Sequence, residues 1–164
     1  MSTLNPYESF LDGRPVETIL ATTAGAISQY LEVIGANRVK AEPAPGKWSA
    51  AAIVAHLADC EIVFGFRLRQ TLAEDAPTIQ PFDQDRWAKA TEYANLEAPA
   101  ALAAFTELRN WNLQMIRRAT PHAAERTMTH PERGTMTFRT VVETMAGHDL
   151  NHLAQLKRVA DQTA

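Results

Sequence analysis

Thr137-Phe-Arg-Thr-Val-Val-Glu-Thr-Met-Ala-Gly-His148-Asp-Leu-Asn-His152-Leu-Ala-Gln-Leu156 reads as one long amphipathic helix. Phe138, Val141, Met145, His148, His152, Leu156 and Val159 recur every three or four residues, which places them along one stripe of a 3.6-residue helix. Two of those positions are histidines one turn apart. Side chains at i and i+4 lie one above the other, so both imidazoles can reach a common point. A lone histidine on an apolar face is more often a hydrogen-bonded core residue than a ligand. A pair on one stripe, joined by a third from elsewhere, would point to a metal ion.

The rest of the chain supplies a frame for that helix. Its 164 residues suit one domain, 1–164, with residues 1–13 as a loose leader holding the turn-forming pairs Asn5-Pro6 and Asp12-Gly13. Pro15 fits a first helical turn, where its missing N–H costs nothing. Val16, Ile19, Leu20, Ala24, Ile27, Leu31 and Ile34 then hold helical spacing up to Gly35. Ala41 to Gly46 breaks the pattern with two prolines and a glycine. Ser49 is the expected N-cap of a second helix running to about Ala73, with Ile53, His56, Leu57, Cys60, Phe64 and then Arg67 or Leu68 on its inner stripe. His56 is therefore a third histidine on an apolar stripe.

Ala76 to Trp87 holds two prolines and an acidic-aromatic segment, and its length fits a crossover running along a bundle. Phe82, Trp87 and Tyr93 are expected to cover one end of the core. Pro99 opens a third helix carrying Leu102, Phe105, Leu108, Trp111 or Asn112, Met115 and Ile116, ended by Thr120-Pro121. His122 and His130 fall in the polar segment 120–137. Thr137 caps the fourth helix. With no strand-like alternation of any length, the expectation is an all-α four-helix bundle with a long crossover connection.

Bundles build metal sites from inward side chains on facing helices. His56 with His148 and His152 makes such a set. Three protein ligands leave a coordination position for water or substrate, the mark of a catalytic site. Neutral imidazole suits several divalent metals, here zinc, nickel, iron or manganese as candidates. Cys60, four residues after His56, could supply a fourth ligand, but is read first as a buried inert thiol. Asp59 and Gln155, each three residues after a histidine, are expected to hold the imidazole N–H groups. Asp149 is rotated about 100° from His148 on the helix, so the pair is not the His-Glu-x-x-His of zinc proteases. Glu61, Asp83 and His130 are candidates for acid, base or substrate contact, and Arg67 and Trp87 for substrate binding.

Trp48-Ser49, then His56-Leu-Ala-Asp-Cys-Glu61, then Gly134-Thr-Met-Thr137, then His148-Asp-Leu-Asn-His152-Leu-Ala-Gln155 resembles the DinB-like (YfiT-like) family of metal-dependent proteins. The likeness runs from about Pro15 to the end of the last helix. It implies an up-up-down-down bundle, a homodimer, and one divalent metal on three histidines, matching His56, His148 and His152. Members of that family include S-transferases and an isomerase that use a low-molecular-weight thiol, and others proposed as hydrolases.

The expected function is a metal-dependent enzyme acting on a small molecule, by thiol-dependent S-transfer or hydrolysis, with a role in stress response or detoxification. The rival is a non-catalytic bundle dimer whose metal is structural or adventitious. A formal net charge of −3 gives nucleic-acid binding little electrostatic support. No apolar run is long enough for a membrane span and the start of the chain lacks a secretory signal, so a cytoplasmic protein is expected.

Overall fold

The computed structural model describes residues 4–162. Four long helices dominate it: α2 (Val16–Ile34), α3 (Ala50–Ala73), α5 (Ala98–Ala123) and α6 (Phe138–Asp161). Two short helices, α1 (Glu8–Leu11) and α4 (Gln84–Ala90), and a two-stranded hairpin, β1 (Thr127–His130) with β2 (Gly134–Thr137), fill the connections. The caps are those the sequence offers. Ser49 Oγ accepts from the Ala52 N–H at 3.2 Å and Thr137 Oγ1 from the Thr140 N–H at 3.1 Å, each satisfying an amide that the helix cannot. Gly35, at φ 76°, lets the chain leave α2 through backbone space that other residues avoid.

The pairs of residues that meet fix the direction of each helix. Thr23 touches Asp149 and Arg38 touches Gln162, so α2 and α6 run parallel. Glu61 meets Arg109 and Asn112 lies over Gly65, so α3 and α5 are also parallel. Arg117 with Glu17, and Arg109 with Leu20, make α5 antiparallel to α2. The four-helix bundle and its crossover stand, and the order of directions is up-down-down-up rather than up-up-down-down. The crossover is itself the reason. Joining α3 to a parallel α5 requires a connection that returns the length of the bundle, and residues 74–97 make that return.

Three local expectations change. The described part of the leader is packed, not loose: Asn5 is buried, and the Tyr7 backbone lies directly against Gly147 of α6. Helix α5 continues through Pro121 to Ala123, where the hydrogen bond lost to the proline falls in the last turn. The hairpin was hidden because each strand has four residues, with one methionine apiece (Met128 opposite Met136) turned into the core. The crossover joins this unit, since Ile79 N–H donates to Thr129 O at 3.0 Å.

The apolar core is in two parts. One gathers Leu20, Leu68, Leu113, Phe138 and Met145; the other Ile27, Leu57, Phe105 and Leu156. Along every long helix a buried polar residue separates the two: Thr23 on α2, Glu61 on α3, Arg109 and Asn112 on α5, and His148, Asp149 and His152 on α6. A polar layer thus crosses the middle of the bundle.

Candidate metal centre

One face of that layer is made of imidazoles. His56 comes from α3; His148 and His152 come from α6, one turn apart. His148 Nε2 lies 3.1 Å from His56 Nε2 and 3.1 Å from His152 Nε2. Two nitrogens bound tetrahedrally to zinc at about 2.0–2.1 Å stand about 3.4 Å apart, so this spacing fits a shared cation with small adjustment. Cys60 Sγ is 3.4 Å from His56 Nε2 and 4.0 Å from His148 Nε2. A sulfur at about 2.3 Å from the same ion would stand about 3.6 Å from each nitrogen, a value those two distances bracket. Among the described residues, His56, Cys60 and His148 form the group of donors that all lie within 4.8 Å of one another; His152 touches His148 but stands outside that group, so it would have to move toward His56 to share an ion with it. Cys60 is therefore beside the imidazoles and within reach as a donor, where the sequence had it as an inert thiol.

Burial sets the protonation of the cluster. It pushes His56 down to about 3 and His152 down to about 4, and holds His148 well below its ordinary value, the neighbouring imidazoles adding to the effect for His56 and His148. All three rings are thus neutral near pH 7, as metal ligation requires. Their orientation comes from packing more than from hydrogen bonds. Tyr7 and Phe64 meet His148 edge-on, and Phe82 stacks over His56 with an interplanar angle of 6°. Gln155 does hold His152, Oε1 to Nδ1 at 3.2 Å. Asp59 does not hold His56; it accepts from Tyr93 Oη at 2.6 Å instead. Among the described residues, His148 Nδ1 is buried without a hydrogen-bond partner.

The family model for the DinB superfamily matches residues 19–156. The chain belongs to the DinB superfamily. Among relatives of this DinB chain, one from Oceanobacillus iheyensis named "Putative metal-dependent hydrolase" is 31% identical over 111 residues, spanning 68% of this chain and 64% of that protein. YfiT of Bacillus subtilis, which carries the same name, is 22% identical over 143 residues, 87% of this chain and 80% of YfiT. The solved structure of YfiT superposes with a TM-score of 0.82 at 22% identity, covering 90% of this chain and 85% of that one. This likeness shows the four-helix fold.

The remaining residues singled out in the sequence of this DinB chain divide sharply. Arg67 and His130 line a cavity of about 130 Å³ that opens onto His56, Cys60 and His148. Asp83 is an N-cap, accepting from the Arg86 N–H at 3.0 Å. Trp87 neither covers the core nor lines that cavity; it is 39% exposed and packs edge-on against Phe82. Glu61 is in the interior. Its Oε1 takes a hydrogen bond from Arg109 Nη2 at 2.6 Å and its Oε2 one from Asn112 Nδ2 at 3.0 Å. Burial raises the Glu61 carboxyl despite the adjacent guanidinium.

Arg109, missed in the sequence, is the hub of the polar layer. It is 2% exposed, donates to Asp149 through both terminal nitrogens (2.6 and 3.1 Å) and to the Leu20 carbonyl at 2.9 Å. Burial alone would lower its pKa, but the two carboxylates outweigh that and raise it. Asp149 also accepts from Thr23 at 2.9 Å. All four long helices are tied here, next in sequence to His148 on α6 and to Cys60 on α3. The one signal available was a charged residue at helical spacing from Phe105 and Ile116, which reads equally well as a solvent-facing position.

Proposed function

We propose that this chain is a metal-dependent enzyme that binds one divalent cation through Nε2 of His56, His148 and His152, most simply as a hydrolase of small molecules. The observation that carries the reading is His148 with its Nε2 3.1 Å from both His56 and His152, three buried, neutral imidazoles from two helices, supported by the metal-dependent hydrolase names of its relatives. A divalent metal held there supplies Lewis acidity at neutral pH. The protein's part is to keep the rings unprotonated, to fix their angles through Tyr7, Phe64, Phe82 and Gln155, and to shield the site from bulk water on the cavity side.

A second chemistry is favoured by a second cavity. A space of about 500 Å³ opens on the His152 side, lined by Lys47, Trp48, Gln155 and Arg158. Its size, and two cationic side chains against the single carboxylate of Asp85, suit a low-molecular-weight thiol bearing carboxylates, which would make the reaction an S-transfer to an electrophile and its role detoxification.

Metal analysis of untagged protein tests the first claim. Near-stoichiometric zinc, nickel, iron or manganese, lost in a folded His152→Ala variant, is expected; a metal-free wild type that refuses added metal refutes it. Cobalt substitution reads the donor set, since a sulfur-to-cobalt charge-transfer band would place Cys60 among the ligands. Turnover of an electrophile that needs added thiol selects S-transfer over hydrolysis.

A further inference from the structure

The small cavity beside the imidazoles has an unusual balance of charge. Two guanidinium groups, Arg67 from α3 and Arg133 from the hairpin turn, line it with His130. Among the described residues neither arginine has a carboxylate within salt-bridge distance, although the other buried arginine of this bundle, Arg109, has two. Arg67 donates from Nη2 to the Gln80 carbonyl at 2.6 Å, a contact that anchors it to the crossover and is its one side-chain hydrogen bond among the described residues. Glu132 is the one carboxylate on the lining, and it is exposed. His130 adds no further positive charge: burial, then Arg67 and Arg133, hold it below its ordinary value. Burial and the nearby Arg133 also press Arg67 downward from its ordinary value. Two half-buried cations facing one space, paired with no carboxylate among the described residues and with only the exposed Glu132 on the rim, make a receptor for an anion.

We propose that this cavity receives an oxyanion, a carboxylate or a phosphoryl group, on the substrate, with Arg67 and Arg133 as its anchors. At about 130 Å³ it is well below the roughly 300–1,000 Å³ that encloses a drug-sized ligand, so it takes the end of a molecule rather than the whole. Because His56, Cys60 and His148 form another wall of the same space, an anion bound to the arginines brings the adjoining atoms of the substrate to the imidazoles. The substrate class is thus a small anionic compound whose reactive bond lies close to its charged end. This orientation rests on the metal-centre reading above; the anion site itself does not.

The test is a titration of the full chain, as purified and after chelation, with acetate, inorganic phosphate and the neutral acetamide, followed by amide and arginine side-chain NMR. Saturable shifts at Arg67, His130 and Arg133 are expected with acetate or phosphate and not with acetamide, in both forms. Whichever of the two anions binds tighter identifies the group. Arg67→Gln and Arg133→Gln should each weaken that binding about tenfold or more, the size of one charge-assisted contact. Equal response to acetamide, undiminished binding in the double variant, or anion binding seen only with metal present would each overturn the proposal. Failure to bind metal with intact anion binding would overturn the metal centre alone.

Discussion

Replacing Arg109 with methionine removes the cation from the centre of the bundle while leaving Glu61 and Asp149 in place. Methionine follows the aliphatic stem of the arginine and leaves the guanidinium's place empty, so the change removes the charge together with its hydrogen bonds. The guanidinium makes four hydrogen bonds, three of them to carboxylates, and its Cζ lies 4.7 Å from the centre of the Phe105 ring. Its loss strands two negative groups in an interior where both are about 99% buried. Breaking a buried pair in this way costs about 3–5 kcal/mol, against a total stability of roughly 5–15 kcal/mol for a domain. For a chain of this size that corresponds to a fall in melting temperature of about 6–20 °C. The deficit should also depend on pH. Without Arg109, the Glu61 carboxyl, already raised by burial, rises further above its unfolded value. A raised folded pKa contributes stability that is present below the unfolded value and lost as pH rises through the folded one. The difference between wild type and variant should therefore be larger at pH 7.5 than at pH 5.5. Urea unfolding of both proteins at the two pH values measures it. A variant within about 1 kcal/mol of wild type at pH 7.5 would show that the triad does not hold the bundle as described.

Acid should destabilise the metal-free protein through its histidines. Each has a folded value below the unfolded one of about 6.5, so the stability they contribute is whole above that pH and is lost as pH falls toward about 4. Three such groups give a slope of up to about 4 kcal/mol per pH unit, and an unchanged urea midpoint between pH 7 and 4.5 would contradict it. Gly147→Ala should release the leader, because a Cβ there would sit 2.5 Å from the Tyr7 carbonyl oxygen, a backbone atom with no room to move. Faster proteolysis near Tyr7 with the bundle intact is the expected result; unchanged resistance would show that the contact is easily relieved. Gln155→Ala should cut metal affinity by about 10–100-fold, since it frees the His152 ring from its one hydrogen-bonded partner outside the cluster. Competition with a chelator would reveal an unaltered affinity if Gln155 plays no such part.

Periodicity exposed the long helices and the three histidines because both signals are local. An imidazole recurring on an apolar stripe is anomalous whatever lies across from it. What escaped depends on partners far away in sequence. Arg109 and Asn112 look like surface residues until Glu61 and Asp149 are placed opposite them, and the choice between Trp111 and Asn112 for the inner face was settled by that pairing. Trp111 is 60% exposed, while the smaller amide is buried. Asp59 sits at the right spacing to hold His56, yet Tyr93 from the crossover reaches it first. Arg133 carried no sequence signal because its place at the cavity is set by the pairing of Thr129 with the crossover.

The charged layer and the imidazoles are best understood as one device. Apolar side chains resist separation but tolerate small slides between helices, since burial is non-directional. A shared cation tolerates far less: donors on α3 and α6 must meet within a few tenths of an ångström. Arg109 supplies the missing register. It grips Glu61, next to Cys60, and Asp149, next to His148, from a third helix, while Thr23 and the Leu20 carbonyl fix the fourth. A slide of α3 against α6 that separated His56 from His148 would have to break those charge-assisted bonds as well. The cost of burying three charges then has a return in geometry rather than in stability, which is the use for which buried ionic groups are best attested. On this account conservative changes in the triad, such as Asp149→Asn, should loosen metal affinity more than they lower the melting temperature. Equal losses in the two would mean that the layer only holds the fold together.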